Sequence, residues 1–128
     1  MPTTHLATLL LACATAVACS SATQRSGAPR SRAILLAEEI VASDAPTAYD
    51  AIARLRPEWL RRRGPISIQD PGAGQAVVYV NGMRHGSLGS LQGIRADTVE
   101  QMEYLDAPAA TTRFGTGHGG GAIVVLTH

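Results

Sequence analysis

Two motifs with chemical potential lie toward the C-terminal end of this 128-residue chain. Gly115-Thr116-Gly117-His118-Gly119-Gly120 satisfies G-x-G-x-x-G, a spacing that in a dinucleotide site turns the chain tightly and brings backbone close to a pyrophosphate. That use needs a strand before the glycines and a helix after them, because the helix N-terminus holds the phosphates. Here the strand-like run Ala122 to Leu126 follows instead, so the glycines read as backbone punctuation. His118-Gly119-Gly120-Gly121 also spells an oxyanion loop of lipase-type hydrolases, yet no G-x-S-x-G nucleophile elbow follows it. Ser87 does not supply one, since His85 stands where the elbow needs its first glycine. His5, His85, His118 and His128 are dispersed without metal-ligand spacing, and Glu100 with Glu103 has no substrate-shaped setting for acid–base work. His85 and His118 are expected as exposed loop residues with no partner to fix either ring. The expectation is no catalytic centre, no cofactor and no metal.

The two cysteines need different chemistry, because both lie in an N-terminal segment of export type. Leu6 to Ala18, LATLLLACATAVA, has the length of a signal-peptide apolar region and is short for a bilayer span. Ala16-Val17-Ala18-Cys19 resembles the lipobox of bacterial lipoproteins, in which the cysteine is lipidated and becomes the first residue. The resemblance implies lipidation at Cys19. Cys13 would leave a very short apolar region, and conventional cleavage after Ala16-Val17-Ala18 is the other use of the same residues. Ser20 is not the Asp associated with inner-membrane retention in that family, which implies the outer membrane. Without Cys13 and Cys19 the rest of the chain has no disulfide and no Cys-based zinc site.

The folded part of the chain is expected to begin after a tether. Ser20 to Ser31 is rich in Ser, Ala, Thr, Gly, Pro and Arg without apolar periodicity. The expected organisation is a signal peptide over 1–18, a flexible tether over 19–33 and one domain over 34–128. Ile34 to Ser43 fits a short helix or an edge strand equally. Thr47 with Asp50 predicts a capped helix start, with Ala48, Ile52 and Leu55 at helical spacing and Pro57 ending or kinking the helix. Trp59 and Leu60 then dock its exit. Ile66 to Gln69 is a short strand candidate and Asp70 to Gly74 a loop. Ala76 to Val80 is a strong strand, Asn81-Gly82 a hairpin turn because both positions tolerate positive φ, and Met83 to His85 the returning strand. Arg95 to Glu100 reads as a helical turn, Gln101 to Leu105 as a half-buried strand, Pro108 to Phe114 as one helical turn, Gly115 to Gly121 as a loop and Ala122 to Leu126 as a buried strand. The fold class is α+β, short strands packed with one or two helices.

Composition limits the partners. The hydrophobic fraction is 45%, but the aromatic share is 4%, so the core is aliphatic. The net charge of +1 removes a global case for nucleic acid. The positive charge is local, in Arg54, Arg56, Arg61, Arg62 and Arg63, a run read as a solvated face in preference to a patch for anionic lipid or an acidic partner.

One family resemblance spans most of the domain. Val78-Tyr79-Val80-Asn81-Gly82, Asp97-Thr98-Val99-Glu100-Gln101-Met102-Glu103-Tyr104-Leu105, Ala109 to Gly115 and Gly120-Gly121-Ala122-Ile123-Val124-Val125-Leu126-Thr127 occur in that order. They resemble the plug domain of TonB-dependent outer-membrane receptors. There a strand ends in a D-G turn, I-E-x-I-E-V-L and A-x-x-x-x-Y-G follow, and G-G-x-I-x-I-x-T closes the domain. Ala48 to Pro57 sits where that family has A-x-x-x-L-x-x-x-P-G. Asn81 replaces its Asp, no Gly follows Pro57, and no run of barrel strands follows the plug-like segment. The resemblance implies a non-enzymatic module, lipid-anchored at the periplasmic face of the outer membrane or otherwise periplasmic, acting on an envelope protein or barrel. It implies structural roles for Asn81, Gly82, Gly115, Gly119, Gly120 and Gly121. The alternative is a periplasmic binder of a siderophore, cobalamin or glycan through the Gly72–Gly74 and Gly115–Gly121 loops.

Overall fold

A computed structural model describes residues 32–63, 68–69 and 72–128. The export segment with Cys13 and Cys19, and the tether as far as residue 31, lie outside the described residues, as do residues 66 and 67 of the strand anticipated at 66–69. Ile68 and Gln69 form a bend.

The ambiguous segment after residue 33 is both of its alternatives in turn. Ile34–Leu36 is strand β1 and Ala37–Ala42 is helix α1. Glu39 accepts the Leu36 N–H at 3.2 Å, closing the first turn right at the strand's end. Helix α2, Ala48–Leu55, starts where Thr47 accepts from the Asp50 N–H at 3.2 Å and donates its own hydroxyl to the Asp50 carboxylate at 2.6 Å. It buries Ala48, Ala51 and Ile52, one stripe at i, i+3 and i+4. Pro57 has no N–H to continue the α-helix, so the chain tightens into a 3₁₀ turn, Pro57–Leu60, that buries Trp59.

Strands β2, Val77–Val80, and β3, Met83–Gly86, form a hairpin across Asn81-Gly82. A second 3₁₀ segment, Leu88–Gly93, was not anticipated. Its sequence signal is the spacing of Leu88, Leu91 and Ile94, every third residue, which suits 3.0 residues per turn rather than 3.6. It packs on α2, and the Ala48 N–H donates to Ile94 O at 2.9 Å. A one-turn 3₁₀ helix, Ala96–Thr98, then leads into β4, Val99–Leu105. Helix α3, Ala107–Phe114, is longer than the single turn anticipated, because Asp106 caps it through the Ala109 N–H at 2.9 Å and Ala-rich sequence propagates it. Strand β5, Ala122–Thr127, closes the fold.

The five strands form one mixed sheet in the order β1-β4-β5-β2-β3, in which β5 lies parallel to β2 and antiparallel to β4. The central place of β5 explains its unbroken apolar run, since both of its faces are covered. On one face Leu35, Met102, Val125, Ile123 and Val78 meet α1, α2 and both longer 3₁₀ segments through Ile40, Ile52, Trp59 and Leu91. Each fully buried Ile, Leu, Met or Val there is worth roughly 1.5–3 kcal/mol relative to exposure. The opposite face carries Tyr79, Ala122 and Val124 and is covered by α3 through Ala110 and Phe114. The domain is a small α+β fold.

Candidate functional site

The glycine-rich segment is a seam between elements. A Cβ on Gly120 would lie 2.3 Å from the Gln75 carbonyl carbon and oxygen, and one on Gly121 would lie 2.4 Å from Leu105 O. Only glycine at 120 and 121 lets this segment lie against the chain at 74–75 on one side and the end of β4 on the other. Gly121, at φ 86°, accepts the Val77 N–H at 3.1 Å, which starts the parallel pairing of β2 with β5. Gly119 has no positive φ, and its Cβ would meet Ala73 O at 3.2 Å. Gly115, at φ 91°, ends α3.

At the hairpin, Asn81 and Gly82 have φ values of 50° and 83°. Asn81 also has a role its turn propensity does not reveal. Its side chain exchanges two hydrogen bonds with Thr127, donating from Nδ2 to Oγ1 and accepting the Thr127 N–H, both at 3.0 Å. The turn is thereby fastened to the end of β5.

The expectation for His118 is overturned. It is buried, 6% exposed, and both ring nitrogens are bonded: Nδ1 with Gly115 O and Nε2 with the Tyr79 hydroxyl, each at 2.8 Å. A carbonyl only accepts, so Nδ1 carries a hydrogen and donates it to Gly115 O, which leaves Nε2 of the neutral ring to accept from the Tyr79 hydroxyl. Phe114 stacks on Tyr79 with centroids 3.8 Å apart, and both rings tilt against His118. Neighbouring glycines made the ring look exposed in sequence, yet they let the loop fold back and bury it. His85 is exposed as expected, but on strand β3 and not in a loop.

Among the described residues, two concavities adjoin these elements. One, of about 350 Å³, is lined by Gly72, Gln75, Arg84, His85, Ser87 and Gly117, so it brings the two glycine-containing loops together at β3. No hydrogen bond joins Ser87 to a histidine among the described residues, and none of their His, Asp or Glu groups gathers three together as a metal site. The other, of about 290 Å³, lies between Arg32, Glu58, Trp59, Arg63 and Tyr104. Trp59 stacks on Tyr104 at 5.9 Å, and the Arg63 guanidinium lies over the Tyr104 ring 4.8 Å from its centroid. Tyr104 donates to Gly120 O at 3.0 Å. Burial pushes the Tyr104 hydroxyl above its ordinary pKa, opposed by the charge and hydrogen bond of Arg63 and assisted by Asp106.

The fold and these seams define a small α+β domain organised around one mixed sheet. No family model matches the sequence, and no curated protein matches it. Among solved structures, the crystal structure of the siderophore receptor PirA from Pseudomonas aeruginosa is similar at 23% identity and a TM-score of 0.48. The match covers 74% of this chain and 17% of that chain, so this chain corresponds to under a fifth of the receptor's length. A likeness of this size carries no argument about function.

Proposed function

We propose that the chain is a non-enzymatic, plug-like module of the TonB-dependent-receptor type, lipid-anchored through Cys19 at the periplasmic face of the outer membrane. It acts by docking on another envelope protein or a barrel. The observation that carries this reading is the agreement between motif and element. The strand and turn at Val77–Gly82, the strand Val99–Leu105, the helix Ala107–Phe114 and the glycine pair before Ala122 each occupy the element their motif requires. The glycine pair carries most weight, because Gly120 and Gly121 are what admit β5 between β2 and β4.

Cross-linking in intact cells followed by affinity capture tests the reading. The expected result is one defined outer-membrane protein, recovered in quantity comparable to the bait. Recovery of nothing above an untagged control rejects it. Loss of acyl labelling in Cys19→Ala is expected alongside, and loss in Cys13→Ala instead would move the anchor.

A second reading, a periplasmic binder of a siderophore, cobalamin or glycan, is favoured by the cleft between Gly72, Gly117 and β3, whose volume of about 350 Å³ suits a small ligand. A thermal shift with one of these, lost in a cleft variant such as Arg84→Ala, selects it over the first.

A further inference from the structure

Strand β3, at one edge of the sheet, is irregular, and the irregularity decides where its charged side chains lie. Val78 pairs with Gly86 and Tyr79 with Arg84, so one step along β2 is matched by two along β3, and His85 is the extra residue of a bulge. In a regular strand Arg84 and His85 would point to opposite faces. Here both line the cleft of about 350 Å³, together with Ser87. Gly86, between His85 and Ser87, has φ 147°, a conformation open to glycine. The Gly72–Gln75 side of the cleft is held in place. The Gln75 N–H donates to Gly72 O at 2.9 Å, the Arg63 N–H donates to Gly74 O at 2.6 Å, and Gly120 lies directly against the Gln75 carbonyl. Of the residues lining the cleft, none is Asp or Glu. The side chains of Arg84 and His85 are exposed and have no hydrogen bond, ion pair or ring contact among the described residues. A guanidinium and an imidazole without partners therefore share one concavity that holds no carboxylate.

We infer that this cleft is an oxyanion site, which takes a small molecule by its carboxylate or phosphate groups, with Arg84 as the main binding residue and His85 and Ser87 as further donors. The guanidinium is a planar fork that matches the oxygens of either group bidentately. Imidazole keeps at least one N–H donor in either protonation state, and the serine hydroxyl supplies another. An uncharged ligand would use the hydrogen-bonding capacity of these groups and none of their charge, and a cation would meet charge of its own sign. The second concavity differs on both counts. Glu58 lines it, and its Arg63 already donates to Glu58 O and lies over Tyr104. Resting on the second reading above, that the cleft at β3 holds a small molecule, the assignment adds the charge of its ligand and is independent of the docking module.

Isothermal titration calorimetry at low ionic strength tests it with three probes: pyrophosphate, citrate and the uncharged trisaccharide maltotriose. The expected result is saturable binding of an oxyanion, weakened by raised salt, and none of maltotriose. Response to pyrophosphate alone assigns a phosphate ligand, and response to citrate alone a carboxylate. Arg84→Ala should weaken the binding roughly tenfold, the scale of a lost hydrogen bond to a charged group. Arg84→Lys should recover part of the loss, since it restores the charge without the fork. His85→Ala should cost less than Arg84→Ala. Arg62→Ala removes the same charge from an exposed residue that does not line the cleft, and should leave binding unchanged. All variants should melt as the parent does, because these side chains are exposed and outside the core. Oxyanion binding that survives Arg84→Ala, or that Arg62→Ala weakens equally, overturns the inference. So does self-association of Arg84→Ala with its oxyanion binding intact, which would leave Arg84 as a charge guarding the edge strand. Binding of maltotriose alone, lost in Arg84→Ala, overturns the oxyanion site and keeps the cleft as a small-molecule site. No response to any probe defeats both.

Discussion

The two faces of the sheet are held by different physics. On the helical face, Leu35, Ile40, Ile52, Trp59, Leu91, Met102, Ile123 and Val125 form a continuous aliphatic core whose energy scales with area removed from water. On the α3 face the cluster is small, Tyr79, Ala110, Ala122 and Val124 with Phe114 at its edge, and it is completed by polar contacts of His118 and by glycine-enabled backbone approach. The difference teaches how so few aromatic residues can close a domain. The first face tolerates changes of shape because neighbouring side chains can shift, while the second depends on groups that have nowhere to move.

The largest effect is expected at Gly120. Gly120→Val places a side chain 2.3 Å from backbone that cannot yield, so the expected outcome is a loss of about 4 kcal/mol or more and little folded protein, read by circular dichroism and expression. A variant that folds with unchanged stability would show that the seam is loose.

The aliphatic face should respond more gradually. Met102→Ala removes a side chain that is 0% exposed and should cost about 3 kcal/mol in urea unfolding, and Met102→Leu less than about 1.5 kcal/mol. Equal costs for the two would mean that packing volume is not what holds this face.

His118→Ala should cost about 2 kcal/mol, because it leaves the Tyr79 hydroxyl and Gly115 carbonyl without their partner in a buried setting. Tyr79→Phe combined with His118→Ala should then cost less than the sum of the single changes, a double-mutant cycle that isolates the bond. Strict additivity would place the stability of this face elsewhere.

Smallest is the hairpin. Gly82 has φ 83° and open space around its Cα, so Gly82→Val is opposed by backbone conformation alone, about 1–2 kcal/mol in a thermal melt. Gly82→Asn should recover much of the loss, since Asn tolerates that conformation. If valine and asparagine were equivalent, the turn would not control stability.

Much of the fold was legible because its signals are local. Val77–Val80 with Asn81-Gly82 reads as strand and turn from β-branched side chains and two positions that accept positive φ, and Thr47 with Asp50 reads as a helix start from one side chain capping one N–H. The split of Ile34–Ala42 into strand and helix was not legible, because pairing with Glu103, Met102 and Gln101 decides it and those partners lie far along the chain. The burial of His118 was not legible for the same reason. Its burial depends on Tyr79, thirty-nine residues earlier, and local composition carries no trace of that bond.

By itself the sequence determined the turns, the caps, the alternation of Met102 and Tyr104 with Gln101 and Glu103, and the α+β class, since each follows from steric preference or periodicity within a few residues. Contacts between distant segments decided that β5 inserts between β2 and β4, that the glycines are a seam against residues 74–75 and Leu105, and that Arg32 and Arg63 come to line one concavity. Those outcomes turn on which distant segments can approach without a Cβ between them, and that is a property of the packed chain and not of any window within it.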